Sequence, residues 1–146
     1  MADSLYPTFD IPTVYATDIE AQRAYYPGPV FDFEQGDFVR DENNSVVIGD
    51  GFTAFHDWCL KVLNTQFGAC TAYPNIGVLS EEAGAKLTRE AVQTAYERTI
   101  IEALKVHPAT ERVKDFVFTW RADMLAIQCT IEGADWAAFD VTLNVV

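Results

Sequence analysis

Positive charge is scarce in this chain: 10 lysines and arginines stand against 22 aspartates and glutamates in 146 residues, a formal net charge of −12. A nucleic-acid binder needs a basic patch or stripe to neutralise phosphates, so no nucleic-acid partner is expected. The acidic residues are scattered rather than gathered in a tail, which suits solubility and leaves room for a basic protein partner. Cysteine is also sparse. Cys59, Cys70 and Cys129 form an odd, widely spaced set without Cys-x-x-Cys or Cys/His zinc spacing, so free thiols and no metal are expected. No apolar run approaches the ~18 residues that span a bilayer, and no membrane contact is expected. Met1-Ala2-Asp3-Ser4 opens no basic-then-apolar leader, so the expected site of synthesis and folding is a cytoplasm.

What is present is apolar material enough for one domain. Hydrophobic residues make up 49% of the chain and aromatics 13%, which argues against disorder for most of it. The first forty residues differ from the rest. Pro7, Pro12, Pro27 and Pro29 alternate with Tyr6, Phe9, Tyr15, Tyr25, Tyr26, Phe31, Phe33 and Phe38. Proline blocks regular helix and central strand, whereas such aromatic density is unusual for a solvated tail. Residues 1–30 therefore read as an extended Pro/aromatic-rich N-terminal arm lying on a surface, its own or a neighbour's. Residues 18–24 could add a helical turn or two within it. Residues 31–146 read as the folded domain.

Phe38-Val39-Arg40 and Val46-Val47-Ile48 flank polar residues 41–44, a hairpin pattern. Gly49-Asp50-Gly51 breaks the strand and opens a helix with the stripe Phe52, Phe55, Cys59, Val62 and Leu63, expected to end near Gly68. After a loop with Pro74, Asn75 and Gly77, Ser80 and Thr88 are both suited to cap a second helix over 89–106. Val92, Tyr96, Ile100, Ala103 and Leu104 share one face of it, and Pro108 stops it. The period then changes from 3.6 to 2. Phe116–Trp120, Leu125–Ile131 and Phe139–Val145 alternate around short turns, the pattern of an antiparallel meander with one buried face. The fold class is therefore α+β: two helices packed on an antiparallel sheet that ends in a three-stranded C-terminal meander.

The reactive side chains form no convincing catalytic set. His56 and Cys59 lie three apart on the first helix, but the stripe turns Cys59 inward and no third group orients the pair. Glu81-Glu82 reads as first-turn acids serving a helix dipole. Asp140 alternates with inward residues and should face solvent, and Asp135 lies in a turn. His107, just before Pro108, is expected to serve the dipole at the helix C-terminus. Gly49-Asp50-Gly51 lacks the later glycine and the lysine of a phosphate loop. No catalytic residues, cofactor or small-molecule substrate are expected.

Residues 63–77 carry a more specific signal. Leu63, Thr65, Gly68, Pro74 and Gly77 fall at the spacing of a signature in the sheath-initiator family of contractile-tail baseplates, the lysozyme-like baseplate wedge proteins, which this chain resembles. The helix Ile100–Leu104, the following Pro108 and the strand from Val113 also resemble that family. Phe31-Asp32-Phe33, Gly36-Asp37-Phe38 and Asp50-Gly51 resemble its branch in phage-like elements. The likeness runs from about residue 30 to 146. Two departures remove charge: Cys70 and Ala69 replace an arginine and its glutamate neighbour, and His107-Pro108-Ala109 replaces Glu-Pro-Arg.

The resemblance implies a non-enzymatic virion component of the tail baseplate, with the tail sheath protein and the baseplate wedge and hub proteins as partners. It implies that the sheet offers an edge to extended arms of the first sheath ring, by β-augmentation. Trp136, Phe139, Asp140, Val141, Thr142, Leu143, Asn144 and Val145 would form that pairing strand. Tyr6, Phe9, Tyr15, Tyr25 and Tyr26 would bind a wedge or hub neighbour through the arm. Two alternatives stay open: another tail or virion adaptor, such as a tail-completion protein, and a small cell-wall hydrolase.

Overall fold

The computed structural model describes residues 25–78 and 88–145. Tyr6, Phe9, Tyr15, residues 18–24, Ser80 and Glu81-Glu82 lie outside the described residues. In chain order the elements are β1 (Gly28–Pro29), β2 (Phe31–Asp32), β3 (Asp37–Phe38), β4 (Ile48–Gly49), α1 (Gly51–Leu63), α2 (Arg89–Leu104), β5 (Thr110–Arg121), β6 (Met124–Gly133) and β7 (Phe139–Val145).

The C-terminal meander is present, in the order β5-β6-β7 with both pairings antiparallel. Along β6 the side chains of Leu125, Ile127, Cys129 and Ile131 are buried, and Val141 and Leu143 of β7 continue the same face. The two helices lie on that face. Phe55, Cys59 and Val62 come from α1, and Tyr96, Ile100 and Leu104 from α2; all are essentially excluded from water. These are the stripes that the helical periodicity marks, because a 3.6-residue repeat keeps positions three and four apart on one side.

α1 begins as expected: Asp50 accepts hydrogen bonds from the Thr53 N–H at 2.8 Å and its hydroxyl at 2.7 Å, which hold its carboxyl below the usual carboxylate range. It ends sooner than expected. Asn64, not Gly68, is the C-cap, its N–H reaching Leu60 O. Asn64 Nδ2 and Thr65 Oγ1 donate to Leu60 O and Lys61 O and so take up the carbonyls that a longer helix would have used. Gly68, at φ +76, serves the turn beyond. α2 is capped by Thr88 and ends at Leu104, two residues short of the expected Val106.

The strand boundaries also shift. β5 starts at Thr110 rather than near Phe116, because a bulge between Lys114 and Val117 puts the two halves of the strand out of phase. β7 starts at Phe139, whereas Trp136 precedes it and stacks on Phe55 with ring centroids 5.2 Å apart. The 38–48 hairpin survives as one antiparallel bridge, Arg40 to Val46, around a turn in which the Asp41 carboxylate accepts from the Asn43 and Ser45 N–H groups. Its ends pair elsewhere: Phe38 with Phe31 and Ile48 with Pro29. The Phe31, Phe33 and Phe38 rings pack edge to face in compensation.

His107 differs from expectation as well. Its ring lies 5.0 Å from Tyr25 and 5.3 Å from Trp58, and its Nδ1 accepts the Ala109 N–H at 3.0 Å. An accepting Nδ1 favours neutral imidazole, and burial pushes its pKa below the ordinary value, so it does not act as a cation at the helix end. The folded state thus binds the proton less well than the unfolded chain. The associated stability is present above the unfolded pKa and is lost as pH falls through and below it. Between about pH 7.5 and about pH 5.5 the wild-type Tm is expected to drop further than that of His107→Gln, as read by thermal melts. An equal drop in both would show that His107 has no part in acid sensitivity.

Candidate functional site

The two outer edges of the meander differ. Within β5, Asp115 adopts φ +55 at the bulge, and the Lys114 ammonium pairs with Glu132 across the strands. Arg89 lies over the Trp120 ring at 5.4 Å. A bulge of this kind interrupts the row of donors and acceptors that another strand would need. β7 pairs with β6 in unbroken register from Phe139 opposite Ile131 to Val145 opposite Leu125. Among the described residues nothing pairs with its outer side.

The register also fixes which groups that side presents. Arg121 and Met124 face each other across the two-residue connection Ala122-Asp123. A pair so near the turn can only be of the hydrogen-bonded kind, since the alternative would need bonds between adjacent residues. Counting from it, Leu125, Ile127, Cys129 and Ile131 turn their main-chain groups to β7, and their partners Phe139, Val141, Leu143 and Val145 turn back to them. Asp140, Thr142 and Asn144 are left with N–H and C=O groups directed outward. Their side chains are exposed on the solvent face, where Asp140 accepts from Thr130 Oγ1 at 2.6 Å. No lysine or proline guards the strand from 139 to 145.

Leu63 and Thr65 lie beside the same strand. Leu63 is buried at the end of α1, and Thr65 Oγ1 is committed to Lys61 O. Gln66 bridges to Val78, whose N–H donates to Thr65 O at 2.9 Å, closing the 67–77 loop. Gly77 makes the closure possible. It adopts φ +120, and a Cβ there would sit 2.6 Å from Thr65 O. Pro74 is exposed in the loop, and Pro108 is exposed in the turn before β5. Leu63, Thr65, Gln66 and Val78 form one wall of an open groove of about 250 Å³, and Leu143, Asn144 and Val145 of β7 form the other.

Elsewhere the sequence-derived sites scatter. Trp136 and Phe139 face the core around Phe55 and Phe52. Tyr25 is half-buried against Phe55 and Trp58, while Tyr26 is 76% exposed. The triplet at His107-Pro108-Ala109 ties the start of β5 to the turn before β7, because Ala109 O accepts the Ala134 N–H at 3.0 Å. His56 Nδ1 approaches Asp57 at 3.6 Å, but Asp57 is buried and accepts the Phe31 N–H. Cys59 is fully buried, and burial, then its neighbour Cys129, pushes its thiol far up; burial pushes Cys129 to about 11. Neither supplies a thiolate near neutrality. Among the described residues no group of three or more His, Cys, Asp or Glu could hold a metal ion, and no helix is long and apolar enough to cross a membrane.

The family model for contractile injection system sheath initiators matches residues 29–135, well over half of the chain. The chain belongs to the sheath-initiator family. No curated protein matches it. The family places the protein structurally in sheath assembly of a contractile injection system, at the tail and baseplate end of the machine. The sequence reading of this sheath initiator missed Gln66, Val78 and the β5 bulge. Gln66 and Val78 are apart in sequence and meet only when the loop closes, and the one local hint of the bulge is that Asp115, at φ +55, is of a residue type that tolerates the left-handed region.

Two outcomes follow from this geometry. Gly77→Ala must either leave its positive φ or strike the Thr65 carbonyl, so it is expected to lose about 2 kcal/mol or more in urea unfolding with an unchanged m-value. A thiol reagent added to the native protein should modify Cys70 alone, with Cys59 and Cys129 reacting only on unfolding; fast native modification of all three would contradict their burial.

Proposed function

We propose that this sheath initiator links the baseplate wedge to the first ring of sheath subunits, and that it templates the sheath by taking an extended sheath segment as a fourth strand on β7. The observation that carries this reading is the asymmetry of the sheet. Among the described residues β7 keeps an unbroken, unpaired outer edge with outward groups at Asp140, Thr142 and Asn144, while the opposite edge is bulged at Asp115. Main-chain hydrogen bonds supply the attachment in such a pairing, and alternating side chains set the register. An open edge is ordinarily an aggregation hazard, and here it is the working surface. Phe139, Val141, Leu143 and Val145 hold the strand to its own domain, and Asp140, Thr142 and Asn144 are the contact residues. Trp136 supports the turn that leads into them.

The arm has a second docking task on this reading. Tyr25 anchors it to the domain, and Tyr6, Phe9, Tyr15 and Tyr26 supply aromatic surface for a wedge or hub neighbour. The proposal rests on aromatic density and on the exposure of Tyr26.

The edge is tested by Thr142→Pro, which removes an outward N–H that β6 does not use. Net values of about 1 kcal/mol per hydrogen bond, with the added ring clash, predict roughly tenfold or greater loss of affinity for a purified sheath subunit. Thr142→Val, which keeps the N–H, should bind as wild type. Undiminished sheath binding by a folded Thr142→Pro protein, or by a chain truncated before Phe139, would sink the edge mechanism and favour another adaptor role. Deletion of residues 1–24, which spares Tyr25, should lower incorporation into the baseplate while leaving sheath affinity intact.

A further inference from the structure

The groove between the end of α1 and β7 is unaccounted for by the folding of the domain. Its floor is apolar, formed by Leu63, Val78, Tyr96 and Leu143, and its rim carries Gln66 and Asn144. An opening of about 250 Å³ exceeds the ~150 Å³ that already holds a benzene-sized group, so it admits one large apolar side chain.

Its position relates it to the outer edge of β7. A strand added there lies about 4.8 Å from β7. Its residues opposite Asp140, Thr142 and Asn144 share their solvent face, because directly opposed residues point to the same side of a sheet. The residues between them point to the helix-bearing side, as Val141 and Leu143 do. The two flanking the partner of Asn144 lie opposite Leu143 and Val145, which line the groove. Among the described residues no charged side chain lines the groove, so a charged occupant would lose its hydration without a partner there.

We infer that this groove is the receptor for a single large apolar side chain on the sheath segment that pairs with β7, and that the signature around Leu63, Thr65 and Gly77 exists to build it. The inference rests on β7 being the pairing edge. Main-chain pairing alone fixes neither register nor partner, since every extended chain carries the same donors and acceptors. A side chain seated at one point along the strand removes that degeneracy. Sliding the segment by one residue would turn the apolar group to the solvent face. The occupant is thus an extended segment with an aliphatic or aromatic residue at one helix-facing position and tolerance at the positions facing solvent.

The test uses the full chain and a purified sheath subunit. Gln66→Trp sends a bulky side chain from the exposed rim into the groove while leaving the sequence and main-chain groups of β7 unchanged. It is expected to weaken sheath binding roughly ten- to a hundredfold, the scale of losing one buried large apolar side chain, while the Tm stays at the wild-type value. On the partner, alanine substitutions along the extended segment should single out one helix-facing apolar residue and leave its solvent-facing neighbours near wild type. If Gln66→Trp destabilises the fold, the alanine series alone decides the question. Normal binding by folded Gln66→Trp, or a series with no sensitive helix-facing position, while Thr142→Pro still abolishes binding, would overturn the groove and leave the edge standing. Normal binding by both Gln66→Trp and Thr142→Pro would remove the edge itself.

Discussion

The register of β6 against its two neighbours is the constraint on which the rest of the molecule hangs. Leu125, Ile127, Cys129 and Ile131 must all point to the helices, and a slip of one residue would turn all four to water. Burial of four such side chains is worth several kcal/mol, so the register is held firmly. Once it is held, everything on β7 is determined. Its odd-numbered residues turn both their side chains to the core and their main-chain groups to β6. Its even-numbered residues turn their side chains to water and their main-chain groups to the open edge. The core that stabilises the domain thereby also aims the main-chain groups on the outer side of β7.

The helices contribute more than a cover for the sheet. α1 stops at Leu63 because Asn64 and Thr65 satisfy its last carbonyls, and the chain then turns back through Gln66 to meet Val78. That early stop leaves the groove beside β7. Had α1 run on to Gly68, the Thr65–Val78 closure could not form, since Thr65 O would be used within the helix. Residues 63–77 therefore build a loop rather than a set of reactive groups. Leu63 anchors it, Thr65 ends the helix, and Gly77 admits a main-chain approach that no other residue allows. The side chains of Ala69, Cys70 and Ala109 take no part in the closure, which is made by the main chains of Thr65, Phe67 and Val78. Ala109 has been absorbed into the core and serves the sheet through its backbone.

At the other end of the sheet, His107, Tyr25 and Trp58 form a small aromatic stack that joins the N-terminal segment to α1 and to the start of β5. Gly51 stands where the Tyr25 carbonyl passes, with room for no side chain. The N-terminal segment is thus tied in at residue 25 by packing and again at β1 by pairing with β4. The short pieces β1 to β4 bury little of their own. They hold through local turns at Asp32 and Asp41, whose carboxylates take up main-chain N–H groups that no longer strand supplies.

By itself the sequence determined the order of the two helices and the C-terminal meander, the inward faces of both helices and the alternation of β6 and β7, because periodicities of 3.6 and 2 are written directly in the apolar residues. Through the spacing of Leu63, Thr65, Gly68, Pro74 and Gly77 it also carried the family. Tertiary structure alone decided where α1 stops, since the competing bonds of Asn64 and Thr65 outweigh a glycine suited to a cap. It alone decided that β5 is bulged at Asp115, that Trp136 belongs to the core and that His107 is held neutral. Only the folded chain shows that nothing among the described residues pairs with the outer side of β7 and that a groove adjoins it. An edge is a property of what is missing beside a strand, and a groove is a property of residues distant in sequence, and neither leaves a local pattern to read.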